Sequence, residues 1–113
     1  MPSHTVILEA AMAEVLEALA HPLRIRILKA LLQYSCCQCD LASRLGEHPV
    51  NISRHLAVLT RAGLVLITKQ GTKTFPKVLY PEIGEVLEKT GSIVRKTASE
   101  RAREARSLQV RTP

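Results

Sequence analysis

The sequence predicts a mainly α-helical fold carrying one β-hairpin, and three observations carry that prediction. Apolar residues recur at helical spacing through most of the chain, as in Ile7, Ala11, Val15 and Leu19. One stretch breaks that rhythm: "LVLITKQGTKTFPKVLY" alternates, is rich in Val, Ile and Thr, and is interrupted at Gln70-Gly71-Thr72. Prolines and glycines stand at the edges of the periodic segments, at Pro22, Gly46, Pro49, Gly63 and Pro81. The expected order is helix, helix, helix, helix, hairpin, helix.

The first helix spans about Thr5 to Ala20, with Ile7, Ala11, Val15 and Leu19 on one apolar face. The second opens at Pro22, which suits a first helical position because no partner awaits its missing N–H. Leu23, Ile25, Ile27, Leu28, Leu31 and Leu32 make it a buried helix, with Arg24, Arg26 and Lys29 on its polar side. The third lies in "SCCQCDLASRLG". Ser35 followed by Gln38 fits a capping box, which makes Ser35 the N-cap. Cys36, Cys37 and Cys39 then occupy the first, second and fourth positions of a short helix that stops at Gly46. The fourth helix starts with His48 as cap and Pro49 at its first position, turns Ile52, Leu56 and Leu59 inward, and closes at Gly63. Pro76 confines the second strand of the hairpin to an edge, or marks a bulge. The last helix opens at Pro81 with Glu82 and Glu85 in its first turn, and Ile83, Val86, Leu87, Ile93 and Val94 line one face. Gly91 weakens its middle by about 1 kcal/mol relative to Ala.

At 113 residues the chain fits one domain with a thin core, so pairing with a second copy would add useful buried surface. The formal charge is +6, and residues 95–113 hold six basic groups against Glu100 and Glu104, leaving +4 there. Such a balance suits a polyanion such as nucleic acid, or simply a solvated tail. No apolar run is long enough to span a membrane. The first segment carries Glu9, Glu14 and Glu17 and lacks a basic leader, so it reads as a helix and not a signal peptide. An odd number of cysteines, three, with no secretion signal points to the cytoplasm. No nucleophile, base and orienting group can be placed together, so an enzyme is not expected.

Ala42, Gly46 and Ile52 have the spacing of a helix-turn-helix: a small residue for close approach, Gly for the tight turn, and a β-branched residue packing back. The hairpin directly downstream makes the motif a winged helix-turn-helix. Its second helix would enter the major groove, presenting Val50, Asn51, Ser53, Arg54 and His55. Asn51 and Arg54 are the types that contact adenine and guanine bidentately, and Val50 suits a thymine methyl. Ser53 and His55 suit phosphate or sugar. Lys69 and Lys73 flank the hairpin tip, within reach of phosphates or the minor groove.

Residues 16–80 resemble the ArsR/SmtB family of bacterial metal-sensing repressors, on the stretches "LAHPLRIRILKALL", "CQCDLASRLG" and "VNISRHLAVLTRAGLV" and the hairpin with Gly71. The resemblance implies a homodimer formed through the first and last helices, and a palindromic double-stranded operator released when an inducer binds. Family members often carry "ELCVCDL" where this chain reads "SCCQCDL", so Cys37 and Cys39 match its two cysteines. Arsenic-responsive members commonly add a cysteine where Ala42 stands here, whereas this chain has Cys36 before the pair. The family's other site needs a His on the last helix, and residues 81–95 have none.

These readings make residues 1–94 a DNA-binding and dimerisation domain and residues 95–113 a basic C-terminal extension. Cys36, Cys37 and Cys39 are the metal-ligand set, with thiol acidity expected to be raised by the helix N-terminus. Three sulfurs around one arsenic would unwind the first turn and so disturb the neighbouring helix. Thiolates select thiophilic ions: As(III) or Sb(III) first, Cd(II) or Pb(II) next, with no constitutive cofactor. The alternatives are a thiol-redox sensor bridging Cys36 to Cys39 or to a second subunit, and a non-inducible DNA-binding protein.

Overall fold

The computed structural model describes residues 3–111. Two compact units divide the chain between Pro81 and Glu82. The first holds α1 (His4–Leu19), α2 (Pro22–Gln33), α3 (Gln38–Leu45), α4 (Pro49–Arg61), β1 (Val65–Gln70) and β2 (Lys73–Val78); the second is α5 (Glu82–Arg111). The predicted element order is the observed one.

Ser3 caps α1, its hydroxyl accepting from the Val6 N–H at 3.3 Å. Only Ala18 and Leu19 of this helix are buried, so of the predicted face Ile7, Ala11 and Val15 stay exposed. The periodicity was correct, but among the described residues α1 packs chiefly on α2 and α4, which leaves that face uncovered. Arg24 fastens its last turn, donating from Nε to the Ala18 carbonyl at 2.6 Å and from Nη2 to that of Glu17 at 3.2 Å. Carbonyls at a helix end lack intrahelical partners; that of Ala18 takes Arg24, and that of Glu17 accepts from the Ala20 N–H at 3.1 Å as well.

His21 caps α2 through Nδ1, which accepts from the Leu23 N–H at 3.1 Å. Leu23, Ile27 and Leu28 are buried while Leu32 is exposed, because the buried stripe is narrower than the run of apolar residues. Ile27, Leu28, Leu41, Ile52, Leu56, Leu59 and Val65 form the fully buried centre, drawn from α2, α3, α4 and β1. Each such side chain contributes about 1.5–3 kcal/mol on leaving water.

The hairpin pairs Val65 with Val78 through to Gln70 with Lys73, in unbroken register. Its turn is Gly71-Thr72. Gly71 has φ 66° and, among the described residues, no non-glycine residue has positive φ, which matches the tight turn with Gly at its first central position. Pro76 pairs with Ile67 without a bulge, and a two-stranded sheet leaves every strand an edge, as Pro76 requires. Both α2 and α3 touch β2.

In the second unit, α5 continues as one helix past residue 94 into the basic extension, a length of about 45 Å at 1.5 Å per residue. Residues 112 and 113 of the predicted extension lie outside the described residues.

Candidate functional site

The turn between α3 and α4 is held from three directions. Gly46, with φ 64°, ends α3: the Gly46 N–H reaches the Ser43 carbonyl at 3.2 Å, and the Glu47 N–H reaches that of Ala42 at 3.0 Å. These are the paired bonds of a left-handed helix cap. Arg26 of α2 donates to the Leu45 carbonyl at 2.7 Å and pairs with Glu47 at 3.6 Å. His48 caps α4, its Nδ1 accepting from the Val50 N–H at 3.1 Å. Ala42 and Ile52 are both buried, so the helix-turn-helix spacing read from the sequence closes as a packed pair. At its far end α4 stops at Gly63, φ 78°, with the Gly63 N–H on Thr60 and the Leu64 N–H on Leu59.

With Ile52 inward, helical rotation of about 100° per residue fixes what faces out. Val50, Ser53 and Arg54 are exposed and Asn51 is half-exposed. His55 departs from the outward reading. It lies three residues after Ile52, only about 60° from the buried stripe, and it is half-buried with its ring against His21, centroids 4.2 Å apart. Arg24 donates to its Nδ1 at 3.2 Å, since a guanidinium has no acceptor to offer. Burial lowers the His55 pKa, and the neighbouring His21, Arg24 and Arg54 lower it further against the pull of Glu47. His55 therefore seats α4 on α2. Lys69 and Lys73 are exposed beside the hairpin tip.

The start of α3 differs from the sequence reading. Its N-cap is Cys37, not Ser35, and no side chain makes the cap bond. Gln38 does not reach back to Ser35; its Oε1 accepts from the Thr74 hydroxyl on β2 at 3.2 Å. The helix begins later than expected, so Cys36 and Cys37 precede it and Cys39 is its second residue. This changes which sulfurs meet. The Cys37 and Cys39 sulfurs lie 2.8 Å apart, and both are within 4.8 Å of an Asp40 carboxylate oxygen. Cys36 is buried and stands outside that group. The Cys36–Cys39 bridge expected for a redox sensor set both residues on one helix, whereas Cys36 precedes α3.

Thiol acidity also runs against expectation at two positions. The Cys37 thiol is pushed up from its ordinary value by its hydrogen bond with Cys39, while the Asp40 backbone N–H pulls the other way. Burial pushes Cys36 up, with Arg44 opposing. A helix N-terminus favours thiolate, but burial at Cys36 and the hydrogen bond with Cys39 at Cys37 outweigh it. Two thiols and a carboxylate in one place suit a thiophilic cation that displaces the thiol protons.

The sequence reading missed Asp40 as a neighbour of the sulfurs. A carboxylate directly after Cys39 was its available signal. Arg24 carried no signal beyond being basic, because its partners lie on two other helices, α1 and α4.

A winged helix-turn-helix with these features defines a DNA-binding regulator, and comparison with known proteins supplies the family. Residues 21–66 match the model for "Bacterial regulatory protein, arsR family". The uncharacterized HTH-type transcriptional regulator Rv0081 of Mycobacterium tuberculosis is 34% identical over 90 residues, 79% of each chain. Its crystal structure superposes with a TM-score of 0.73 at 33% identity, over 84% of this chain and 96% of that one. CmtR of Mycobacterium bovis, an HTH-type transcriptional regulator, is 46% identical over 63 residues, 56% of this chain and 53% of CmtR. The arsenical resistance operon repressor of Escherichia coli is 51% identical over 35 residues, 31% of this chain and 30% of that protein. The chain belongs to the ArsR family of transcriptional regulators: it is a DNA-binding repressor and not an enzyme.

Proposed function

We propose that this repressor is a homodimer released from a palindromic operator when a thiophilic metal or metalloid binds Cys37 and Cys39. The observation that carries the reading is the 2.8 Å approach of the two sulfurs at the start of the first helix of the DNA-binding motif. Asp40 is the third donor at hand, in place of Cys36. Two thiolates meet the shared requirement of arsenite, antimonite, cadmium and lead, and the carboxylate favours the divalent pair. The short likeness to the arsenical resistance repressor supports the metalloid arm.

Val50, Asn51, Ser53 and Arg54 read or position the major groove, and Lys69 and Lys73 contact phosphate or the minor groove. The dimer reading rests on α1, where Val6, Ile7, Leu8, Met12, Val15 and Leu16 are exposed on a helix without a covering layer. On α5, Ile93 and Val94 are exposed likewise. Among the described residues no helix is long and apolar enough to cross a membrane. A cytoplasmic setting fits metal-binding thiols, which must stay reduced.

The test uses the full chain under reducing conditions on a palindromic duplex that the metal-free protein has selected from a random pool. Cadmium or arsenite should raise thiolate absorbance and weaken DNA binding together. An affinity unmoved by either, yet lowered by peroxide, favours the redox reading. For that reading the structure brings together Cys37 and Cys39, not the Cys36–Cys39 pair expected from the sequence.

A further inference from the structure

We infer that Gln38 and Thr74 form the connection by which the sulfur site acts on the wing. The inference rests on the metal-release reading above and adds the route.

Gln38 stands in sequence between the two cysteines whose sulfurs meet, as the first residue of α3. Its side chain leaves that site and crosses to β2, accepting from the Thr74 hydroxyl at 3.2 Å in a half-buried position. Thr74 pairs with Lys69, and the next pair toward the turn is Gln70 with Lys73. The bond therefore holds the hairpin beside its tip, next to both lysines assigned to DNA. A two-residue turn and an unbroken register give the hairpin little internal slack, so a displacement at Thr74 is carried to Lys69 and Lys73.

The sulfur geometry supplies the displacement. In the present arrangement the two sulfurs are 2.8 Å apart. Two sulfurs that each lie about 2.3 Å from one ion at a tetrahedral angle are about 3.8 Å apart. The site must open by about 1 Å to take an ion of that kind, and larger ions require more. Cys37 is buried and cannot swing freely. The opening therefore falls on the backbone from Cys37 to Cys39, which contains Gln38, or on the exposed Cys39 side chain. A hydrogen bond already at 3.2 Å is lost after a few tenths of an ångström more. Opening through the backbone thus releases the wing from α3.

Thr74→Val keeps the branched shape and removes the hydroxyl, and Thr74→Ser keeps the hydroxyl. The experiment titrates cadmium chloride into wild type and both variants under reducing conditions. It follows thiolate absorbance for binding and affinity for the selected palindromic duplex for release. Wild type should lose DNA affinity within the roughly 5- to 150-fold range usual for coupled sites. Thr74→Val should bind cadmium with the same stoichiometry and absorbance, yet lose less than about one third of the wild-type factor on a logarithmic scale. Thr74→Ser should restore the wild-type response, which a general loss of packing would not do. If Thr74→Val releases DNA as wild type does, Cys39 rotation absorbs the opening and the route is overturned. If wild type itself binds no cadmium, or binds it without releasing DNA, the release reading fails and the route falls with it.

Discussion

Removing Cys36 and removing Cys39 should have opposite consequences, and the contrast follows from where each sulfur lies. Cys36 is 6% exposed and outside the donor group, whereas Cys39 is exposed and inside it. Cys36→Ala deletes one buried heavy atom, comparable to a buried methyl group, and should cost about 1 kcal/mol of stability. Cys39→Ala alters an exposed position and should stay within about 0.5 kcal/mol. For metal affinity the order reverses. Structural zinc sites with four ligands bind with about 10–16 kcal/mol, so one ligand carries about 3 kcal/mol, or about two orders of magnitude in affinity. Cys39→Ala should therefore weaken cadmium binding about 100-fold, and Cys36→Ala by less than about threefold. Competition against a chelator of known affinity measures the second quantity, and urea unfolding of the metal-free proteins measures the first. Should Cys36→Ala weaken cadmium as severely as Cys39→Ala, the three-sulfur arrangement expected from the sequence is correct and the two-sulfur site is not.

Acidity should loosen the seat of α4. Because the His55 pKa is depressed, its stabilising contribution is complete above the unfolded value of about 6.5 and is lost as pH falls through the folded value. Urea midpoints at about pH 7.5 and about pH 5.5 should differ more for wild type than for His55→Gln, and equal slopes would contradict the assignment. Gly46→Ala meets no atom within 4 Å, so its cost is the left-handed backbone alone, about 1–2 kcal/mol, and Gly46→Asn should cost less. Thermal unfolding separates the two. Met12→Glu places charge in the exposed apolar face of α1 and should shift the proposed dimer to monomer in sedimentation; an unchanged dimer would move the interface elsewhere.

Features set by near neighbours in the chain were legible in the sequence. The turn at Gly46, the His48 cap, the inward trio Ile52, Leu56 and Leu59, and the hairpin turn at Gly71 are each decided within a few residues. The start of α3 was not legible, because Ser35 and Cys37 compete for the cap and the decision depends on Gln38. That side chain is drawn to Thr74, 36 positions away. Shifting the cap reassigned every sulfur, so one distant hydrogen bond separates a three-cysteine reading from a Cys37–Cys39–Asp40 one. His55 was misplaced for a related reason: at the margin of a helix face, the neighbouring elements decide the direction, and His21 and Arg24 supply that decision. For α1 the apolar face was visible, but periodicity says that a face is apolar and not what covers it.

The guanidinium of Arg24 joins α1, α2 and α4 through two carbonyls and an imidazole. Among the described residues those acceptors are all uncharged once His55 is neutral. Dissolved ions screen attraction between charges far more than a short hydrogen bond to a neutral group. Affinity for a phosphate backbone, by contrast, falls steeply as salt rises. Ionic strength can therefore strip this protein from DNA while α4 stays seated, so that what leaves the DNA in high salt is still shaped to return to it.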